Sequence, residues 1–177
     1  MKIVKKILLV IVFLIALVLV VALFVSKDYS VEREAIINKP KEEVFNYVKN
    51  LKDQDKYNKW VMTDPNVRRT YKGTDGTIGF VTTWDSDNSS VGKGEQEIKN
   101  IVEGEKIESE VRFEKPMKGI ANVYMITQDV ANNQTKVKWG MTGKNSYPMN
   151  FMNLFIPSML GKDLQTRLNN LKTILEK

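Results

Sequence analysis

The segment PSMLGKDLQTRLNNLKTIL, Pro157 to Leu175, decides the fold. Leu160, Leu164, Leu168 and Leu171 stand four, four and three residues apart, the spacing that lines one face of an α-helix. Pro157 suits a first helical turn. Met159, Lys162, Asp163 and Arg167 fall off or beside the stripe, and the charges among them read as surface groups pairing locally. A helix with one apolar stripe needs an apolar surface to cover it, and that surface must come from earlier in the chain.

Upstream, the period changes from helical to two. Ile107, Ser109, Val111 and Phe113 alternate with Glu108, Glu110 and Arg112, and Val137, Trp139 and Met141 alternate with Lys136, Lys138 and Gly140. Both patterns are those of half-buried strands. Further strands are predicted over 30–38, 67–72, 77–84, 92–102 and 119–130. In the third of these, Ile78, Phe80, Thr82 and Trp84 share a face. Gly73-Thr74-Asp75-Gly76, Asp85 to Ser90 and Asn132-Asn133-Gln134 are turn sequences. Asp85, Asp87 and Asn88 are read as turn residues in place of an acidic metal site. Pro40, Glu42 and Glu43 open a helix that carries Val44, Phe45 and Val48 on one side. A short helix over 53–57 follows and ends near Trp60. Strands linked as hairpins make an antiparallel sheet. The expected class is α+β: a curved sheet of about seven strands gripping the long C-terminal helix.

A second helix is predicted at the other end. Ile7 to Val25 contains no polar or charged residue. At about 1.5 Å per residue this run reaches ~28 Å, close to the ~30 Å hydrocarbon core of a bilayer. It exceeds the apolar region of a secretory signal and lacks a clean small-x-small site near its end, so it reads as a retained anchor. Lys2, Lys5 and Lys6 precede it, while Lys27 and Asp28 nearly cancel. The positive-inside rule then puts the N-terminus in the cytoplasm and the rest on the periplasmic or extracellular side. The expected units are an anchor over 1–28 and one domain over 29–177.

Composition excludes several functions. Of 27 basic and 21 acidic residues, only Lys2, Lys5, Lys6, Lys27 and Asp28 precede Ser30. The domain surface is therefore mixed in sign, with no basic stripe for nucleic acid. Histidine and cysteine are both absent. That removes Ser-His-Asp and thiol chemistry, disulfides and the common zinc sites. No cofactor or metal is implied.

Three pieces of the chain carry a family resemblance. The first is Asn38-Lys39-Pro40 with Glu43-Val44-Phe45 and Trp60. The second is Trp84 to Asn88 with Gly92-Lys93-Gly94-Glu95. The third runs from Tyr147-Pro148-Met149-Asn150 through Gly161-Lys162-Asp163-Leu164 to Leu171-Lys172. Over about residues 30–177 the chain resembles the START-like (SRPBCC) superfamily, nearest the bacterial polyketide cyclase/dehydrase and lipid-transport group. The resemblance implies a helix-grip fold and a cavity between sheet and helix for an apolar small molecule. Members include enzymes, transfer proteins and others, and fold alone does not choose among them.

The inward faces expected of such a fold hold Phe80, Trp84, Phe113, Tyr124, Trp139 and Met141 on strands. Phe151, Met152, Phe155 and Met159 come from the terminal segment. Aromatic and methionine side chains give large, adaptable apolar area, and the chain has 8 Met. These ten are the candidate ligand-binding residues: each taken alone fits ordinary core better, and only as a set do they balance core against a cavity wall. No catalytic residue is identified. Tyr124 and Tyr147 have the chemistry of a hydrogen-bond donor or acid, but no partner that would tune them is evident. The leading expectation is an anchored, non-catalytic domain that takes an apolar small molecule or lipid. A cyclase- or dehydrase-type enzyme and a protein-interaction domain are the alternatives.

Overall fold

The computed structural model describes residues 2–58, 63–130 and 133–177. Its elements run α1 (Lys2–Phe24), β1 (Asp28–Ile37), α2 (Lys41–Val48), β2 (Arg68–Lys72), β3 (Val81–Asp85), β4 (Lys93–Val102), β5 (Lys106–Lys115), β6 (Gly119–Val130), β7 (Gln134–Lys144) and α3 (Ile156–Leu175). Two short 3-10 helices, Asp53–Lys56 and Met149–Leu154, lie between. All seven strands form one antiparallel sheet in the order β1-β7-β6-β5-β4-β3-β2. The chain thus lays β1 on one edge, crosses over through α2, and returns strand by strand from the other edge.

The expected grip is present. Leu164, Leu168 and Leu171 of α3 are fully enclosed with Ile37, Val44, Val48, Val137 and Trp139, while Leu160 is half-buried at the end of the stripe. Truncating any of the three enclosed leucines to alanine costs about 2–5 kcal/mol. In β5 the buried residues are Ile107, Ser109 and Val111, the face that alternation assigns.

Two register shifts interrupt the β4–β5 pairing, between Lys93 and Gly94 and between Ile98 and Asn100. Such bulges bend and twist a sheet locally. Gly92 and Gly94, part of the second resemblance piece, have distinct reasons to be glycine. Gly92 has φ +67°, and a Cβ there would stand 2.1 Å from the Lys115 carbonyl oxygen. A Cβ on Gly94 would meet the Arg112 carbonyl oxygen at 2.5 Å and the Trp84 ring at 2.6 Å.

The strand predicted over 77–84 is shorter and later. Gly76 and Gly79 have φ +72° and +84°, so a turn persists up to Phe80 and leaves Ile78 exposed. Residues 149–154 coil as a 3-10 helix before α3 begins. Trp60 and Asn132, used above as marks of a helix end and a turn, lie outside the described residues.

Candidate functional site

A cavity of about 740 Å³ opens at one end of the grip. Its floor and walls come from four places: Phe113, the turn Lys115–Gly119 that joins β5 to β6, Met149 and Met152 of the second 3-10 helix, and the first three turns of α3. Ile156, Met159 and Leu160 supply the apolar face of α3, and Asp163 and Thr166 stand among its deeper lining residues along the helix. Tyr29 and Asn145 close the side nearest α1.

The ten candidate residues separate into groups. Phe113, Met152 and Met159 line this cavity. Trp84 is half-buried, meets Phe113 edge to face at 6.0 Å between centroids, and donates from Nε1 to the Val91 carbonyl at 3.2 Å. Met141 packs against the main core. Phe80 and Trp139 are fully enclosed away from the cavity lining; Phe80 stacks on Tyr71 at 6.2 Å. Phe151 is half-buried and Phe155 exposed, their rings edge to face at 5.6 Å. Tyr124 is a correction of face. Its neighbours Val123 and Met125 point inward, so the strand's period of two turns Tyr124 outward. There its ring covers Gly140 and its hydroxyl donates to Glu32 at 2.6 Å. Burial and that carboxylate push the phenol up to about 12.

Behind the cavity, the sheet–helix interior is unexpectedly polar. Asp163 and Arg167 form an ion pair at 2.6 Å, each side chain only 11% exposed. The expected surface pairing is local, one turn apart, but enclosed. Arg167 lies 5.4 Å over the Trp139 ring, and Trp139 meets Tyr57 edge to face at 5.8 Å. Burial lowers the Arg167 guanidinium from its usual range, against the pull of Asp163. Burial raises the Tyr57 phenol well above its usual range, so it stays a neutral donor. Arg69 reaches Asp55 at 3.0 Å, and burial raises the Asp55 carboxyl despite that partner. The hydroxyls of Tyr47, Tyr57 and Thr82, the Nε1 of Trp139 and the Nε atoms of Arg69 and Arg167 are buried with no hydrogen-bond partner among the described residues.

The cavity sits against the end of α1. Asn150 donates from Nδ2 to the carbonyls of Ala22 at 2.7 Å and Val25 at 2.8 Å. Asn153 donates likewise to Ser26 at 2.8 Å and Lys27 at 2.9 Å, and Asn145 Nδ2 donates to the Asn153 side chain at 2.7 Å. The last carbonyls of a helix have no intrahelical partner; Asn150 supplies one at Ala22, and the other bonds hold the three residues that lead from α1 into β1.

Elsewhere several charges are paired. Asp85 and Asp87, read as turn residues, both pair with Arg68, at 3.4 Å and 3.1 Å. On the outer sheet face Arg112 is held by Glu95 at 2.6 Å, by Glu97 at 2.8 Å and by Glu110.

Sequence reasoning missed the β5–β6 turn and the two asparagines. Met117 inside the otherwise polar turn Lys115-Pro116-Met117-Lys118-Gly119 is the available signal for the first. Asn150 and Asn153, three apart in a Met- and Phe-rich stretch, are the signal for the second.

The fold has solved counterparts. A protein of Chromobacterium violaceum matches with TM-score 0.60 at 14% identity, over 84% of this chain and 97% of its own. A protein of Nitrosospira multiformis matches with TM-score 0.59 at 15% identity, over 82% of this chain and 95% of its own. DynU16, a protein in the dynemicin biosynthetic locus, matches with TM-score 0.59 at 13% identity, over 84% of this chain and 47% of its own. At such identities the likeness is one of fold. A search of the curated proteins finds no match. The sequence model described as "Polyketide cyclase / dehydrase and lipid transport" matches residues 28–176, nearly everything after α1. With its seven-stranded sheet closed on a C-terminal helix, the chain belongs to the polyketide cyclase/dehydrase and lipid-transport family.

Proposed function

We propose that this protein is a membrane-anchored binding domain that holds an apolar small molecule or lipid in the cavity between its sheet and α3, without catalysis. The observation that carries it is the cavity of about 740 Å³ lined by Phe113, Met117, Met149, Met152, Ile156 and Met159. Pockets of ~300–1,000 Å³ with apolar walls and a few polar groups are the usual form of small-molecule sites. In this reading residues 1–28 form the anchor and 29–177 the binding domain. α1 is long and apolar enough to cross a bilayer. Lys2, Lys5 and Lys6 hold its start in the cytoplasm and the domain stands on the opposite side.

The test is ligand uptake by the delipidated full chain in detergent, with fatty acid, phospholipid and a hydrophobic dye as probes. Uptake is expected, and Leu160→Trp, which pushes an indole into the cavity from its α3 wall, is expected to weaken it. Absence of uptake above background for all three probes would overturn the proposal.

An enzyme of the cyclase or dehydrase type is the second reading. Asp55 favours it, because a carboxyl raised by burial is a candidate acid or base. Asp55 is absent from the cavity lining and committed to Arg69, which ranks this reading second. Chemical change in a ligand recovered after incubation, lost in Asp55→Asn, would reverse the order.

A further inference from the structure

We propose that the mouth of the cavity is itself a lipid-docking surface, and that it rests in the interface of an anionic bilayer, the same one that holds α1. The proposal rests on the anchoring put forward above and extends it to a second, independent contact. Met117, Ile120, Met149, Met152 and Met159 all line the cavity, yet they are between 39% and 66% exposed. They come from three separate segments, so the exposed apolar area is built by the fold and is not a loose end. Exposed apolar area of this kind, rimmed by polar groups, marks an interaction surface.

Two observations identify the occupant as membrane. The first is position. Met149 and Met152 share their short 3-10 helix with Asn150 and Asn153, whose amides grip the carbonyls of Ala22, Val25, Ser26 and Lys27 where α1 ends. The patch is therefore fixed beside the point at which α1 leaves the bilayer, and only Val25 to Lys27 intervene before β1. The second is charge. Among the described lining residues are Lys115, Lys118, Lys144 and Lys162 against one carboxylate, Asp163, which is paired with Arg167. Apolar side chains with a lysine rim are the composition of surfaces that settle about 5–10 Å into the boundary between headgroups and acyl chains, and lysines near an anionic leaflet are drawn to it.

The consequence for the binding site is direct. A mouth seated in the lipid lets an apolar molecule pass between acyl chains and cavity without crossing water, and the lysines meet the phosphates that surround the opening.

The chain has no cysteine, so single-cysteine fluorophore labels test the idea on the full protein in lipid nanodiscs. Leu17→Cys reports on α1, Met117→Cys and Met159→Cys on the mouth, and Glu105→Cys on the β4–β5 turn at the far end of the sheet. With phosphatidylglycerol present, a lipid-borne nitroxide is expected to quench the labels at 17, 117 and 159 and to leave the one at 105 bright. Lys118→Gln with Lys162→Gln, or discs of phosphatidylcholine alone, are expected to reduce quenching at 117 and 159 but not at 17. Labels at 117 and 159 as bright as that at 105, with the label at 17 quenched, would overturn the docking while leaving the anchor intact. A bright label at 17 would overturn the anchor and the docking with it. Quenching at 117 and 159 that ignores lipid charge and both lysines would overturn the anionic preference.

Discussion

Asp163 and Arg167, one helical turn apart on α3, share a 2.6 Å ion pair with both side chains nearly enclosed. Removing one partner of a buried pair strands the other charge, at a cost of about 3–5 kcal/mol, whereas replacing both by apolar groups is often neutral. Asp163→Leu is therefore expected to lower the thermal midpoint sharply, and Asp163→Leu with Arg167→Met to recover most of it. Circular-dichroism melts of the three proteins in one detergent check this. Equal losses in the single and double variants would contradict it.

Gly94 leads to a second expectation. A Cβ at this position has no room, because one of its obstacles is backbone, the Arg112 carbonyl. Overpacking of this sort costs about 1–3 kcal/mol. Gly119 faces open space and has an ordinary φ. Gly94→Ala should unfold at clearly lower urea than the parent, and Gly119→Ala at nearly the same concentration.

The outer sheet face should report on acid. Hydrogen bonds from Arg112 and Lys99 lower the Glu97 carboxyl, and bonds from Lys106 and Asn100 lower that of Glu108. A carboxyl whose pKa is depressed in the folded state binds fewer protons there than in the unfolded chain. Its contribution is present above the unfolded value, about 4.3 for glutamate, and is lost as pH falls through the lowered folded value. Urea midpoints should hold steady from neutral pH down to that range and decline below it. Arg112→Gln should flatten the decline, since it removes the first cause of the Glu97 shift.

The junction with α1 can be loosened selectively. Asn150→Leu deprives the Ala22 and Val25 carbonyls of their donor, at about 1–3 kcal/mol for buried groups left unsatisfied. The domain itself keeps its core. Trypsin cleavage after Lys27 in nanodiscs should accelerate in Asn150→Leu, and further in Asn150→Leu with Asn153→Leu, with the domain fragment still resistant.

Much of this architecture was legible in short-range pattern. The leucine stripe and the alternation over 106–113 each follow from residues within a few positions of one another, and both elements stand where the pattern puts them. The aromatic character of Tyr124 suggests an inner face, but the period of its own strand overrides it, because Val123 and Met125 claim the interior. The enclosure of Asp163 and Arg167 was hidden for another reason. It depends on Trp139 and Tyr57, which arrive from distant parts of the chain. The cavity mouth joins the β5–β6 turn to the start of α3, and no local spacing encodes that encounter.

The four amide bonds from Asn150 and Asn153 make the passage from α1 into β1 a bracket instead of a leash. A domain on a free tether tumbles, and any surface it presents must give up that rotational freedom each time it is used. Here the attitude of the domain relative to α1 is set during folding. The entropy of orientation is lost once, with the rest of the chain's conformational freedom, and later encounters at the cavity mouth begin already aligned.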